Sequence, residues 1–291
     1  MSKPAYKYLR PEDIRKLENF EFAPRALVEG YLAGAHRSRQ RGSSIEFHEY
    51  RQYTPGDDKA FIDWRVYART DRYYLRTHNL ETNLEGHIFL DSSASMGFGN
   101  NPTKLEYASF FAAALAYLIL ANNDRVSLQI FDDKIRHYAP PGSTSLHLQH
   151  LMHLLETNQP GNQTSVAEAL RRAYPLLKRK GTLVVISDFF DEPAAIFHAL
   201  SPYLHRGFRI HLFHILAPGE IDLEQRGLAA FVDMETRGRV IAHTGGIRQA
   251  YREAMEAHQR GLRQLAARKG IHYTLARTDT SYFNLFDQFA Q

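Results

Sequence analysis

The chain has 291 residues, 36 Lys and Arg against 32 Asp and Glu, a net charge of +4 and no cysteine. The missing thiol excludes disulfides, cysteine zinc sites, iron–sulfur clusters and thiol catalysis. With 44% apolar residues the chain can bury a large core without staples, and its mild charge gives no reason to expect a nucleic-acid partner. The first nine residues hold no apolar run, so no signal peptide is expected. The longest uncharged apolar stretch, 107–121, is shorter than the roughly 20 residues that span a bilayer. A soluble, cytoplasmic protein without direct membrane insertion is the expectation.

Residues 1–85 read as an N-terminal extension. Ile14, Leu17, Phe20, Ala26, Leu27 and Leu32 have helix-like spacing, opened by Pro11-Glu12-Asp13. From His36 to Arg76 the chain is dense in Arg, Tyr and Asp, broken by Gly42, Pro55 and Gly56, and predicts short extended pieces joined by turns. Asp57, Asp58 and Asp63 suggest a nuclease-type acid cluster or, preferably, acids paired with Arg51, Arg65 and Arg69. Trp64, the only tryptophan, reads as a packing anchor.

Residues 86–291 read as one α/β domain. A buried strand is predicted at 86–91, then a helix over 103–121 with a capping box at Thr103 and Glu106. Its apolar residues run nearly all round, so it should be buried on more than one side. Val126, Leu128 and Ile130 alternate as a strand. Helices follow over 146–155 and 165–177, the second with a capping-box pattern at Ser165 and Glu168. Then come a central strand at 182–187, a helix over 193–204 and a strand over 208–215. A hairpin at 231–241 turns at Arg237-Gly238, followed by a helix over 247–269, a strand through Ile271, Tyr273 and Leu275, and a closing helix over 280–289. This alternation predicts a doubly wound, mostly parallel, Rossmann-type sheet with helices on both faces. Ligands of such sheets sit at the carboxyl ends of the strands, where strand order reverses.

Asp91-Ser92-Ser93-Ala94-Ser95 lies just past a buried strand, Thr164 precedes a helix, and Asp188 ends another strand. If the three loops meet, Asp91, Ser93, Ser95, Thr164 and Asp188 offer oxygen donors alone. That chemistry suits a hard cation, Mg²⁺ with Mn²⁺ as an alternative. The histidines His147, His150 and His153 drift around their helix and read as a solvated or half-buried face. His211 and His214 should face opposite sides of a strand. No P-loop and no Gly-x-Ser-x-Gly elbow is present.

The five oxygen residues resemble the metal-ion-dependent adhesion site of von Willebrand factor A domains. Upstream, Arg51-Gln-Tyr53-Thr-Pro55-Gly56-Asp57-Asp58, Ile62-Asp63-Trp64 and Ala68-Arg69-Thr70 resemble the signature of bacterial domain-of-unknown-function family 58. The resemblance implies a von Willebrand A-like fold and a binding module, not an enzyme. It implies Ser93, Ser95 and Thr164 as hydroxyl ligands, with Asp91 and Asp188 binding directly or through water. A partner's Asp or Glu would take the open position, and the partner it suggests is a MoxR-type AAA+ ATPase or its client. One departure is that Gly161-Asn-Gln-Thr164 lacks a Gly-Gly before the threonine. The competing expectation is a Mg²⁺-dependent hydrolase or nuclease, with the Arg-rich 37–76 segment holding phosphates.

Overall fold

The computed structural model describes residues 6–18, 45–52, 64–80, 85–161, 163–223, 227–235 and 238–289. The chain forms two units, one of residues 30–83 and one of 1–29 with 84–291.

In the smaller unit, β1 (Ile45–Gln52) pairs antiparallel with β2 (Tyr74–Leu80), with an irregularity between Phe47 and Glu49. Helix α2 (Trp64–Thr70) precedes β2. Tyr67 and Tyr73 stack at 4.5 Å, and Trp64 meets both edge-on. Trp64, expected as a packing anchor, packs on these two rings while remaining 60% exposed. The expected helical residues Phe20, Ala26, Leu27 and Leu32 lie outside the described residues, as do Pro55, Asp57, Asp58 and Asp63.

The larger unit is built on a six-stranded sheet. Its strands are β3 (Glu85–Asp91), β4 (Arg125–Phe131), β5 (Ile135–Gly142), β6 (Thr182–Ser187), β7 (Arg209–Leu216) and β10 (His272–Arg277). The order is β10-β7-β6-β3-β4-β5, all parallel except the edge strand β5. The chain leaves β3 toward β4 and β5, then returns to lay β6 on β3's other side. The strand order therefore reverses between β3 and β6, and a crevice opens at their carboxyl ends.

Side chains alternate between two cores. Ile88, Leu90, Val184, Ile186, Phe213 and Ile215 enter one, with Leu9 ahead of helix α1 (Pro11–Glu18), Leu17 within it, and the inner residues of α3 (Lys104–Ala121) and α4 (Ser145–Thr157). Phe89, Leu183, Val185, Ile210 and Leu212 enter the other, under α5 (Val166–Ala173), α6 (Pro193–His205) and α8 (Thr244–Arg268). Burial on both faces is why the central strands read as continuous apolar runs. Helix α1 belongs to the large unit.

α3 is the one helix among the described residues long and apolar enough to cross a membrane, but 72% of it is buried inside the protein. Its start is fixed as expected. The Thr103 hydroxyl accepts from the Glu106 amide, and the Thr103 amide donates to the Glu106 carboxylate, both at 3.2 Å. The box expected at Ser165 does not form. The α5 amide of Val166 instead donates to Asp191 Oδ2 at 2.7 Å, while Glu168 pairs with Arg171 and Arg172. A carboxylate at a helix start does what a serine hydroxyl would, with charge added.

After β7 come the short helix α7 (Pro218–Asp222) and the hairpin β8 (Leu228–Val232) with β9 (Arg239–His243). Part of the turn expected at Arg237-Gly238 lies outside the described residues. The closing helix, Tyr282–Phe289, is a 3₁₀ helix.

Candidate metal centre

β3 ends in Asp91, which is fully buried. Three groups hold its carboxylate. Thr164 Oγ1 donates to Oδ2 at 2.9 Å, Ser187 Oγ donates to the same oxygen at 2.6 Å, and the Ser93 amide donates to Oδ1 at 2.9 Å. Ser93 Oγ and Ser95 Oγ lie 3.1 Å apart. Ser95 sits in the single 3₁₀ turn Ala94–Gly97 that follows the strand. Thus the loops after β3 and before α5 bring Asp91, Ser93, Ser95 and Thr164 into one hydrogen-bonded cluster at the crevice.

Asp188 follows β6 and is also fully buried. Its Oδ2 accepts a hydrogen bond from Lys104 Nζ at 2.7 Å, and its Oδ1 finds no hydrogen-bond partner among the described residues. The next residue, Phe189, has φ of +49°, a left-handed conformation that is unfavourable for a bulky side chain. It is held there by two contacts. Its amide donates to Ser187 Oγ at 3.0 Å, and its carbonyl accepts from His258 Nε2 at 2.9 Å.

Lys104 is the first residue of α3, and its ammonium also donates to Glu220 Oε1 of α7 at 2.6 Å. The Phe190 ring lies 5.2 Å from the same nitrogen. A cleft of about 350 Å³ opens beside the cluster. It is lined by Ser95, Thr164, Phe190, Asp191, Glu220 and the hairpin residues 232–235. Glu235 Oε1 accepts the Thr164 amide at 3.2 Å.

Burial dominates the electrostatics. It pushes the Asp91 carboxyl up to about 7, helped by the negative charge of Asp188 and opposed by the Ser187 and Ser93 hydrogen bonds. Glu220 is raised by burial against the pull of Lys104. Asp191 is raised by burial against the Val166 amide, and Glu235 by burial against the Thr164 amide. For Lys104 burial favours the neutral amine. The charges of Asp188 and Glu220 outweigh it and raise the pKa, so the group stays an ammonium. His214, by contrast, is lowered to about 3 by burial and is neutral.

The donor set fits a hard cation. Every candidate donor is an oxygen, the Thr164 hydroxyl lies on the Asp91 carboxylate, the Ser93 and Ser95 hydroxyls lie together, and Asp188 Oδ1 is a buried acceptor without a partner among the described residues. Among the described residues no three His, Asp or Glu side chains form a metal-binding group by themselves, so the hydroxyls would be essential to such a centre. His147 Nε2 donates to the Val126 carbonyl at 2.8 Å. His211 stacks on His272, whereas His214 meets the Tyr273 hydroxyl on the opposite face of β7.

Sequence reasoning missed Ser187, Lys104, Glu220, Asp191 and Glu235. Ser187 was signalled by its place beside Asp188. Lys104 carried a fainter signal, a cation at the helix end where the dipole favours anions.

Two relatives are Uncharacterized protein Mb1516 of Mycobacterium bovis and Uncharacterized protein Rv1480 of Mycobacterium tuberculosis. Each is 27% identical over 281 residues, covering 94% of this chain and 87% of the relative. Similar solved structures include BatB from Bacteroides thetaiotaomicron, 16% identical with a TM-score of 0.48, covering 71% of this chain and 97% of that one. Another is the von Willebrand factor type A protein from Catenulispora acidiphila, 12% identical with a TM-score of 0.44, covering 71% of this chain and 42% of that one. Both scores are low, and the α/β assignment rests on the sheet order described above. The model of the family described as "Protein of unknown function DUF58" matches residues 49–261, most of the sequence, and the chain belongs to that family.

Proposed function

We propose that this chain is a non-enzymatic protein-interaction module whose docking point is a Mg²⁺ ion, with Mn²⁺ as a substitute. Asp91, Ser93, Ser95, Thr164 and Asp188 would hold the ion, and an Asp or Glu of the partner protein would complete its coordination. The observation that carries this reading is the oxygen cluster at the strand-order reversal, where Asp91 gathers Thr164, Ser187 and Ser93. Bound there, the ion would supply a positive charge that accepts a carboxylate. The protein's own part is to position hydroxyl oxygens, exclude bulk water from Asp91 and leave one side open to the cleft. The resemblance to von Willebrand A domains supports the same reading. The resemblance to domain-of-unknown-function family 58 suggests a MoxR-type AAA+ ATPase, or that ATPase's client, as the partner, and the lack of cysteine suits the cytoplasm as the place of action.

The test is reconstitution with the purified MoxR-type ATPase of the same organism. Wild type should retain the ATPase with Mg²⁺ and release it with chelator, and Ser93→Ala should fail to retain it with Mg²⁺. Equal retention in all three conditions would overturn the metal-bridged mechanism.

A further inference from the structure

Lys104 is fully buried, yet it is the first residue of a helix that is otherwise apolar nearly throughout. A lysine at that end works against the helix dipole, and burying an ammonium is costly unless carboxylates surround it. Here two do: Asp188 Oδ2 at 2.7 Å and Glu220 Oε1 at 2.6 Å. Asp188 is one of the five residues assigned above to the ion, and one of its oxygens is already engaged by a cation of the protein itself, which it shares with Glu220.

Distance gives this arrangement a purpose. Lys104 and Glu220 cancel in net charge, but the ammonium bonds to Asp188 directly, so an ion on Asp188 meets the positive member of the pair first. The ammonium draws on Asp188 and repels the ion, which is therefore held weakly by the protein alone and retains charge that an incoming carboxylate can satisfy. With the charges of Lys104 and Glu220 removed together, Asp91 and Asp188 would neutralise the ion. It would bind tightly and have little left for a partner.

We propose that Lys104 is a tethered counter-cation that makes ion binding and partner-carboxylate binding depend on each other. It is a positioning residue acting through Asp188, and the inference rests on the metal-centred reading given under Proposed function. Reciprocity follows: the carboxylate tightens the ion as much as the ion tightens the carboxylate.

The test titrates Mn²⁺ into purified full-length protein, read by electron paramagnetic resonance of the free ion, with and without acetate as the carboxylate probe. The proteins are wild type, Lys104→Met and the double variant Lys104→Met with Glu220→Gln. The double variant removes one charge of each sign and frees Asp188 at constant net charge, and circular dichroism checks its fold. Both variants should bind Mn²⁺ at least about tenfold more tightly than wild type in the absence of acetate. Acetate should tighten Mn²⁺ on wild type and do little on the variants. Unchanged or weaker Mn²⁺ binding in the folded double variant would overturn the role of Lys104 while leaving the centre standing. No Mn²⁺ binding by any of the three proteins would overturn the centre itself, and the inference with it.

Discussion

Lys104 Nζ lies 2.7 Å from Asp188 Oδ2, and neither side chain is exposed to solvent. The pair joins the start of α3 to the end of β6, and Glu220 ties both to α7. Removing one member of such a pair leaves the other buried and uncompensated. Lys104→Met should therefore lower stability by about 3–5 kcal/mol. Adding Glu220→Gln should recover part of the loss, because one of the two stranded negative charges is gone. Urea denaturation of the single and double variants measures both effects.

Asp91 gives the metal-free protein a definite pH dependence. Its carboxyl titrates near 3.8 in the unfolded chain and about 7 in the fold. Between those values the folded state binds the extra proton, so this group's contribution to stability falls as the pH rises through the window. Asp91→Asn should flatten that slope. Midpoints of urea unfolding, taken with chelator at about pH 5 and about pH 8, decide it. A slope identical in the two proteins would assign the dependence to another residue.

Thr164→Val keeps the shape of the side chain and removes the hydroxyl that Asp91 Oδ2 accepts from. Ser187 still donates to that oxygen, so the fold should survive with a loss of about 1–3 kcal/mol. Mn²⁺ binding should weaken much more than stability does. Calorimetric titration of the ion beside thermal melting separates the two.

Two glycines should respond differently to alanine. At Gly181 the added Cβ meets the backbone carbonyl of Glu85, which cannot retreat without prying β3 away from its neighbour. At Gly86 the nearest atom is Ile119 Cδ1 at 2.6 Å, the end of a side chain that can turn aside. Gly86→Ala should cost about 1–3 kcal/mol, whereas Gly181→Ala should abolish soluble folded protein. Expression and thermal melting of the pair test the contrast.

Glu235 carries the hairpin's hydrogen bond to the Thr164 amide. Glu235→Ala should speed hydrogen exchange at that amide and leave the exchange of β3 unchanged. Mass-spectrometric exchange of the two peptides is the measurement, and equal protection in wild type and variant would mean the contact holds nothing in place.

How much of this was legible in the sequence depends on distance along the chain. The central strands were readable because residues buried on both faces leave an unbroken apolar run. The Thr103 and Glu106 box was readable because its two halves are three residues apart. Strand β5 was missed because Pro140 and Pro141 argue against a strand, and an antiparallel edge is one of the few places where prolines fit. Ser165 promised a cap, but Asp191, delivered by a different loop, took the Val166 amide. The five oxygen residues could be picked out because Asp91, Ser93 and Ser95 alternate just past a buried strand, while Thr164 and Asp188 lie next to the ends of recognisable elements. Lys104 could not be linked to them, since its partners are 84 and 116 residues away and only the wound sheet brings them together.

The outer flank of α3 is closed from two directions. Phe110 takes Tyr8 edge-on at 5.1 Å and stacks on Tyr282 at 5.9 Å, and the neighbouring Phe111 meets Phe286 at 5.2 Å. A ribosome delivers Tyr8 long before Phe110 and Phe286 long after it. The most apolar helix among the described residues must therefore wait, one flank bare, until nearly the whole of this sequence has emerged. That interval is when a chaperone would have a binding surface here, and when crowding of nascent chains would most readily cause aggregation.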